Sequence, residues 1–179
     1  MSNNIEIEFR AIISKKKYEW LDSFLEKNAK DLGQDDKETV FYILPGKLFK
    51  VVNETSKNKA KIVLKDRRIG HGSDFREWEI KIDSADYEAA VKIFDHLSLP
   101  GKSMKSWQKR HNYLYKRIEI AVKYSKHWKY HIEMEIVVGS PKKKEYAEGQ
   151  IKNLADELGI KLMTDEEIKK FTNKIESKL

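Results

Sequence analysis

The feature that most restricts how this chain can fold is a regular alternation of apolar and charged side chains, repeated in segment after segment. Residues 5–10 read Ile-Glu-Ile-Glu-Phe-Arg, so Glu6, Glu8 and Arg10 share one parity and Ile5, Ile7 and Phe9 the other. A period of two is that of a strand, whose successive side chains point to opposite faces. The pattern recurs further along the chain. Glu77, Glu79 and Lys81 oppose Trp78, Ile80 and Ile82, while Lys59, Lys61, Val63 and Lys65 oppose Ala60, Ile62 and Leu64. Glu119, Ala121 and Lys123 oppose Ile118, Ile120 and Val122, and His131, Glu133 and Glu135 oppose Ile132, Met134 and Ile136. Glutamate is disfavoured inside strands, and neighbouring like charges repel unless a cation or a basic group stands between them. An ordinary half-solvated sheet is one reading. On these faces, however, Thr, Ser, Asn and Gln are scarce beside Glu and Lys. A closed sheet whose lumen holds charge of both signs is the better account.

The alternating segments predict eight strands, over residues 5–13, 37–43, 47–53, 59–66, 75–82, 106–115, 117–125 and 129–138. Short turns such as Leu-Pro-Gly-Lys and Ile-Gly-His-Gly-Ser-Asp join them. Helical spacing and capping residues predict four helices. One follows Ser14 and runs to about Ala29; a second begins at Ser84 and carries Tyr87, Ala90, Val91, Phe94 and Leu97 on one face. A third follows Ser140-Pro141 and ends at Gly159, and a fourth opens on a Thr164/Glu167 capping box. Each strand has an apolar face for these helices to cover, and the four tryptophans, Trp20, Trp78, Trp107 and Trp128, read as packing residues. The order predicts an α+β fold: an eight-stranded antiparallel β-barrel, or tunnel, with helices packed outside, as a single domain over residues 1–179.

Composition narrows the chemistry. The chain has no cysteine, which excludes disulfides and thiolate metal sites and suggests a reducing, cytoplasmic setting. It shows no secretory signal and no apolar run long enough to span a bilayer, so no membrane partner is expected. A formal net charge of +7 suits an anionic partner. Net charge is the sole pointer to nucleic acid, and the lysine runs at 15–17 and 142–144 read as solvated faces. Oxygen-only carboxylate clusters suit hard divalent cations such as Mg²⁺ or Mn²⁺. Lys and Arg facing the same space suit phosphate oxygens. Together they suggest a metal–polyphosphate guest.

A chain that opens on Glu6-Ile7-Glu8-Phe9-Arg10, continues through Lys65, Arg76-Glu77-Trp78-Glu79 and Arg110 with Tyr113, and closes on Glu133-Met134-Glu135 resembles the CYTH superfamily of triphosphate tunnel metalloenzymes. The resemblance runs over nearly the whole chain. It implies an eight-stranded tunnel that binds a triphosphate and hydrolyses it with Mg²⁺ or Mn²⁺. It also implies roles. Glu6, Glu8, Glu133 and Glu135 would hold metal. Arg10, Lys50, Lys65, Lys81, Arg110 and Lys123 would contact phosphate, with Lys81 and Lys123 equally readable as salt-bridge partners. Glu77, Glu79 and Lys65 would be catalytic, the two glutamates completing the site or activating water. His131 reads as a hydrogen-bonding neighbour, and His71, in a glycine turn, receives no role. The chain departs from the family at Val52, where a second basic residue is usual, at Gln108, and at Ala121, where an aspartate is usual. Class IV adenylyl cyclase, thiamine triphosphatase and a non-catalytic polyphosphate- or nucleotide-binding domain stand as alternatives, and either a monomer or a homodimer is compatible with the sequence.

Overall fold

A computed structural model describes residues 5–67 and 74–179. The turn expected around His71 lies almost wholly outside the described residues, and His71 itself does. The strands are β1 (Ile5–Ile12), β2 (Lys30–Gln34), β3 (Lys37–Leu44), β4 (Lys47–Glu54), β5 (Lys59–Lys65), β6 (Asp74–Phe75), β7 (Glu77–Ile82), β8 (Lys102–Tyr115), β9 (Ile118–Ser125) and β10 (Lys129–Val138). The helices are α1 (Lys15–Asn28), α2 (Tyr87–His96), α3 (Lys144–Glu157) and α4 (Asp165–Glu176). All strands join one antiparallel sheet in the order β6-β1-β10-β9-β8-β3-β4-β5-β7, with β2 attached to β8.

The order explains how the sheet curls. β6 pairs with β1 at one end of the sheet and β7 with β5 at the other, yet only Arg76 separates β6 from β7 in the chain. One short segment therefore joins both margins. Ion pairs from Lys65 of β5 to Glu6 (3.5 Å) and Glu8 (4.0 Å) of β1 span the same gap. The fold is thus the expected α+β arrangement, a curled antiparallel sheet with four helices around it.

The alternating residues separate as their parity requires. Ile7, Ala11, Ile120, Val122, Ile132 and Met134 form a core on the outer face with Leu21 and Leu25 of α1 and Ile151 and Leu154 of α3. Val40, Tyr42, Val51 and Ala60 form a second core with Tyr87, Ala90 and Val91 of α2. Local signals set the helix ends. Ser14 accepts a hydrogen bond from the Lys17 amide, and the Thr164/Glu167 capping box is complete in both directions. α4 then lies across one end of the lumen. Its Phe171 ring sits 4.6 Å from Trp128 in the β9–β10 turn, and Lys102 at the start of β8 donates to the Glu176 carbonyl at 3.1 Å. No helix among the described residues is long and apolar enough to cross a membrane.

Four details differ from the sequence reading. β2 is an additional strand, paired with β8 at residues 111–114 and carrying a register shift between Asp31 and Gly33. β8 begins at Lys102, because its first half pairs with β3 rather than β9. The strand expected over residues 75–82 is interrupted at Arg76, where the chain passes from one sheet margin to the other. The outer face of β7 is not covered: α2 packs on β4, leaving Trp78 56% and Ile80 65% exposed. Trp20 and Trp107 are also exposed, so packing accounts fully for none of these three tryptophans.

The tetrapeptide Leu-Pro-Gly-Lys occurs twice, at 44–47 and 99–102, in different surroundings. Gly46 closes the β3–β4 hairpin at φ +69° with open space where a Cβ would stand. Gly101 has φ +118°, and a Cβ there would collide with the Ile43 carbonyl oxygen. A left-handed backbone alone costs a non-glycine residue roughly 1–2 kcal/mol. Gly46→Ala should therefore lower the unfolding free energy in urea by about 1 kcal/mol, and Gly101→Ala by more than about 2 kcal/mol because a backbone atom must also move.

Candidate functional site

The inward parity of β1, β3, β4, β5, β8, β9 and β10 lines one cavity of about 280 Å³, which Glu77 of β7 and the C-terminal part of α4 complete. Charge is sorted within it. At one side, carboxylate oxygens of Glu6, Glu8 and Glu135 lie within 4.8 Å of one another. Register dictates this: Glu8 of β1 stands opposite Glu135 of β10, and Glu6 is one pleat further along β1. Lys65 reaches the edge of the group and also pairs with Glu77 at 3.2 Å.

Glu133, the fourth expected metal ligand, is placed elsewhere. Its carboxylate accepts from Arg10 Nε at 3.0 Å and Arg110 Nη1 at 3.3 Å, and pairs with Lys123 Nζ at 2.8 Å. The register again explains it, since Arg10 is the β1 partner of Glu133 and Arg110 is the β8 partner of Lys123. Arg10 also binds Glu8, which links this cluster to the acidic trio. Glu133, Arg10 and Lys123 are all buried.

Of the other expected residues, Lys50 and Glu77 line the cavity, whereas Glu79 and Lys81 do not. Glu79 forms an ion pair with Lys61, and Lys81 is exposed on β7 at the margin of the sheet. Lys50 makes no hydrogen bond or ion pair among the described residues. His131 sits beside Lys123, with Nδ1 2.9 Å from the Lys129 carbonyl. Two lumen cations received no role in the sequence reading, although Lys61 was placed on the charged face. Lys37 and Lys61 line the lumen and pair with Glu54 at 3.6 Å each, and Lys37 pairs with Asp35 at 2.7 Å. Their parity matched the lumen face, so the signal was present. At the three departures, Val52 and Gln108 face the cavity and Ala121 is the buried β9 partner of Glu133.

Protonation follows from this sorting. Burial alone would raise the Glu133 carboxyl, but Lys123, Arg10 and Arg110 overcome it and hold the group well below the ordinary range. Burial, reinforced by Glu6, Glu8 and Glu119, pushes Glu135 up to about 8. Burial also raises Glu6, with Lys65 opposing and Glu77 and Glu8 adding to the effect. Lys50 is brought down to about 7 by burial and by Lys65, against the pull of Glu77. Burial, with Arg110 and Arg10, lowers Lys123 to about 8, leaving it charged on Glu133 at neutral pH. His131 falls to about 3, through burial and Lys123, and stays neutral. Glu6, Glu8 and Glu135 are thus a crowded, oxygen-only donor set whose mutual repulsion a hard divalent cation would relieve, and the set fits such an ion.

Two opposite outcomes follow for neighbouring glutamates. Glu133→Gln leaves the buried Lys123 without its carboxylate and takes one partner each from Arg10 and Arg110, and should cost about 3–5 kcal/mol of unfolding free energy. Glu135 holds its proton in the folded state up to about 8, whereas the unfolded chain loses it near the ordinary carboxylate value. The folded state then binds more protons between those limits, so the metal-free protein loses stability as pH rises from about 5 to 8. Glu135→Gln removes that contribution and should flatten the decline, as read by denaturant unfolding across this range.

No family model matches the sequence, and no curated protein matches it. Solved structures do match in fold. A protein from Pyrococcus horikoshii OT3 is 21% identical, with 91% of this chain and 99% of that one covered at a TM-score of 0.74. A putative adenylyl cyclase from Hippeastrum, described as having a dominant triphosphatase activity, is 16% identical, with 89% of each chain covered and a TM-score of 0.63. A chain of the Schizosaccharomyces pombe Mediator head module is 8% identical, with 88% of this chain and 97% of that one covered and a TM-score of 0.64. At these identities the likeness establishes the fold. Along nearly its whole length this chain shares with them the fold its residue pattern predicts, a curled antiparallel sheet with helices outside.

Proposed function

We propose that this chain hydrolyses a phosphoanhydride bond of a triphosphate-containing substrate held in the lumen, with Mg²⁺ or Mn²⁺. The observation that carries this reading is the placement of the Glu6/Glu8/Glu135 trio in the same cavity as Arg10, Lys50, Arg110 and Lys123. Carboxylates for a cation and basic groups for an anion face one space, and Lys50, which feels Glu77, makes no hydrogen bond or ion pair among the described residues. The fold alone does not select a function. The likeness to a protein described as a triphosphatase supports this choice without establishing it.

Glu6, Glu8 and Glu135 would hold the metal, which when bound neutralises phosphate charge and polarises a phosphoryl oxygen. The chain's own groups do the rest. Glu133 orients Arg10 and Arg110 and uses only part of their five N–H donors each, leaving others for phosphate oxygens. Lys50 would contact a phosphate directly and gain its proton fully as the anion arrives. Lys65 stays charged, since burial would lower it but Glu8, Glu77 and Glu6 raise it well above its usual range. Glu77, which burial would raise but which Lys50 and Lys65 lower, is a weak base suited to orienting the attacking water. Phosphoryl transfer depends on positioning and charge stabilisation more than on base strength. The water oxygen bonds to phosphorus, the anhydride P–O bond breaks, a water proton passes to a phosphate oxygen or to solvent, and the leaving phosphate carries its charge toward Arg110 and Lys123.

Val52, an aliphatic side chain on the lumen wall, favours a second reading: a domain that binds polyphosphate or nucleotide without turning it over. Phosphate release from tripolyphosphate, ATP and thiamine triphosphate with Mg²⁺ or Mn²⁺, alongside a cyclic AMP readout, separates the two. Metal-dependent release should vanish in Glu6→Gln and Glu8→Gln, and Lys50→Ala should slow it about 100-fold if Lys50 stabilises developing charge. Tight binding with no release in the wild type would favour the binding domain, and cyclic AMP as the main product would favour a cyclase.

A further inference from the structure

β7 carries an uncovered face and an open edge on the same strand. Trp78 and Ile80 are 56% and 65% exposed on its outer face, because α2 packs on β4. The strand pairs with β5 along one side, and its other side makes no backbone hydrogen bond among the described residues. β1 does not fill that place. β6 meets β1 at Glu6 and Ile7, and further along the Arg10 carbonyl accepts from the Met163 amide, so the segment before α4 takes the β1 edge there. An exposed apolar edge strand pairs readily with another chain unless proline, a bulge or charge blunts it. β7 contains no proline and its register with β5 is unbroken. Its charges, Glu77, Glu79 and Lys81, all share the face opposite Trp78 and Ile80.

Lys81 is a second feature that the lumen chemistry leaves unused. Its β5 partner is Lys61, a like charge, and Lys61 is itself paired with Glu79 and Glu54. Lys81 makes no ion pair among the described residues. A carboxylate arriving along the open edge would relieve it.

We infer that β7 pairs antiparallel with β7 of a second copy of this chain, about a two-fold axis at Ile80. The strand's own sequence selects both partner and register. Directly opposed residues share a face, so a symmetric pairing that keeps apolar against apolar must be centred on a residue, not between two. Centring on Trp78 opposes Glu77 to Glu79, and centring on Glu79 or Lys81 opposes that charge to its own copy. Centring nearer either end runs out of strand. Centring on Ile80 opposes Glu79 to Lys81 twice and Trp78 to Ile82 twice, with Ile80 against its own copy. The like charges Glu77 and Asp83 meet only at the two ends, where Asp83 lies outside the strand and caps the following turn. Each Lys81 thereby gains a carboxylate, the exposed side chains of both copies form one apolar strip, and the closed symmetry stops the association at two.

Sedimentation velocity across a concentration series tests the inference, with melting temperatures recorded for every variant. The wild type should pass from monomer to dimer as concentration rises and go no further. Ile80→Lys sets like charges at the axis and should leave a monomer. Glu79→Lys and Lys81→Glu each turn two attractive pairs repulsive, and each should raise the dimer dissociation constant roughly tenfold. An equimolar mixture of these two variants should recover the wild-type constant, because one copy then presents two cations and the other two carboxylates. Apolar contact alone, or pairing in another register, would give no such recovery, and the mixture keeps the test valid if Ile80→Lys fails to fold. A monomer at every concentration, association that continues past two copies, or a dimer that the charge variants leave unmoved or that mixing does not restore overturns the inference. The reading of the lumen stands or falls separately.

Discussion

Glu133 meets Arg10, Arg110 and Lys123 in a buried cluster that draws on β1, β8, β9 and β10. A sheet that turns its charged face inward must compensate those charges away from bulk water, where an unpaired ion is costly. Glu133 serves all three cations, Glu8 shares Arg10, and Glu119 and Asp35 stand by Arg110 at 3.6 and 3.8 Å. The basic groups are thereby held in fixed positions on the lumen wall. The outer cores support this arrangement, because α1 and α3 lie over Ile7, Ile120, Ile132 and Met134, the apolar neighbours of the same charged residues. Register therefore links the two faces: the pairing that buries Met134 outside also brings Glu133 to Arg10 inside.

Two carboxylates one pleat apart on β10 consequently have opposite characters. Glu133 is stabilised as an anion, whereas Glu135 is driven toward its neutral form by burial, with Glu6 and Glu8 adding to it. The distinction separates scaffold from candidate metal ligand more sharply than the Glu-x-Glu motif does. Lys65 stands at the boundary, compensating the trio without entering the Glu133 cluster. The presence of the same architecture in a Mediator head module chain shows why any claim of function must rest on these side chains and not on the sheet.

Much of the fold was legible because alternation specifies which way each side chain faces. The parity of Glu6, Lys65 and Glu133 placed all three in the lumen, the resemblance added Arg110, and the Ser14 and Thr164 caps located two helix starts. Parity does not specify height along the tunnel. That depends on the stagger between strands, which is why Glu133 could be grouped with Glu6 and Glu8 in sequence yet stand with Arg110 and Lys123 in the structure. Nor does it tell a central strand from a marginal one. Glu79 and Lys81 have lumen parity but lie on β7 at the sheet margin, and Trp78 and Ile80 behind them have no helix to cover them. β2 was missed because Lys-Asp-Leu-Gly-Gln has no alternation, and the first half of β8 because Lys-Ser-Met-Lys-Ser has little apolar content.

The central claim is that the lumen separates a cation site from an anion site and uses both for one guest. Anomalous diffraction from crystals grown with Mn²⁺ and tripolyphosphate tests it most directly. The account predicts a manganese peak among Glu6, Glu8 and Glu135, phosphate density extending toward Arg10, Arg110 and Lys50, and Glu133 still on its three cations. Manganese bound at Glu133, or a lumen that holds neither ion under these conditions, would contradict it.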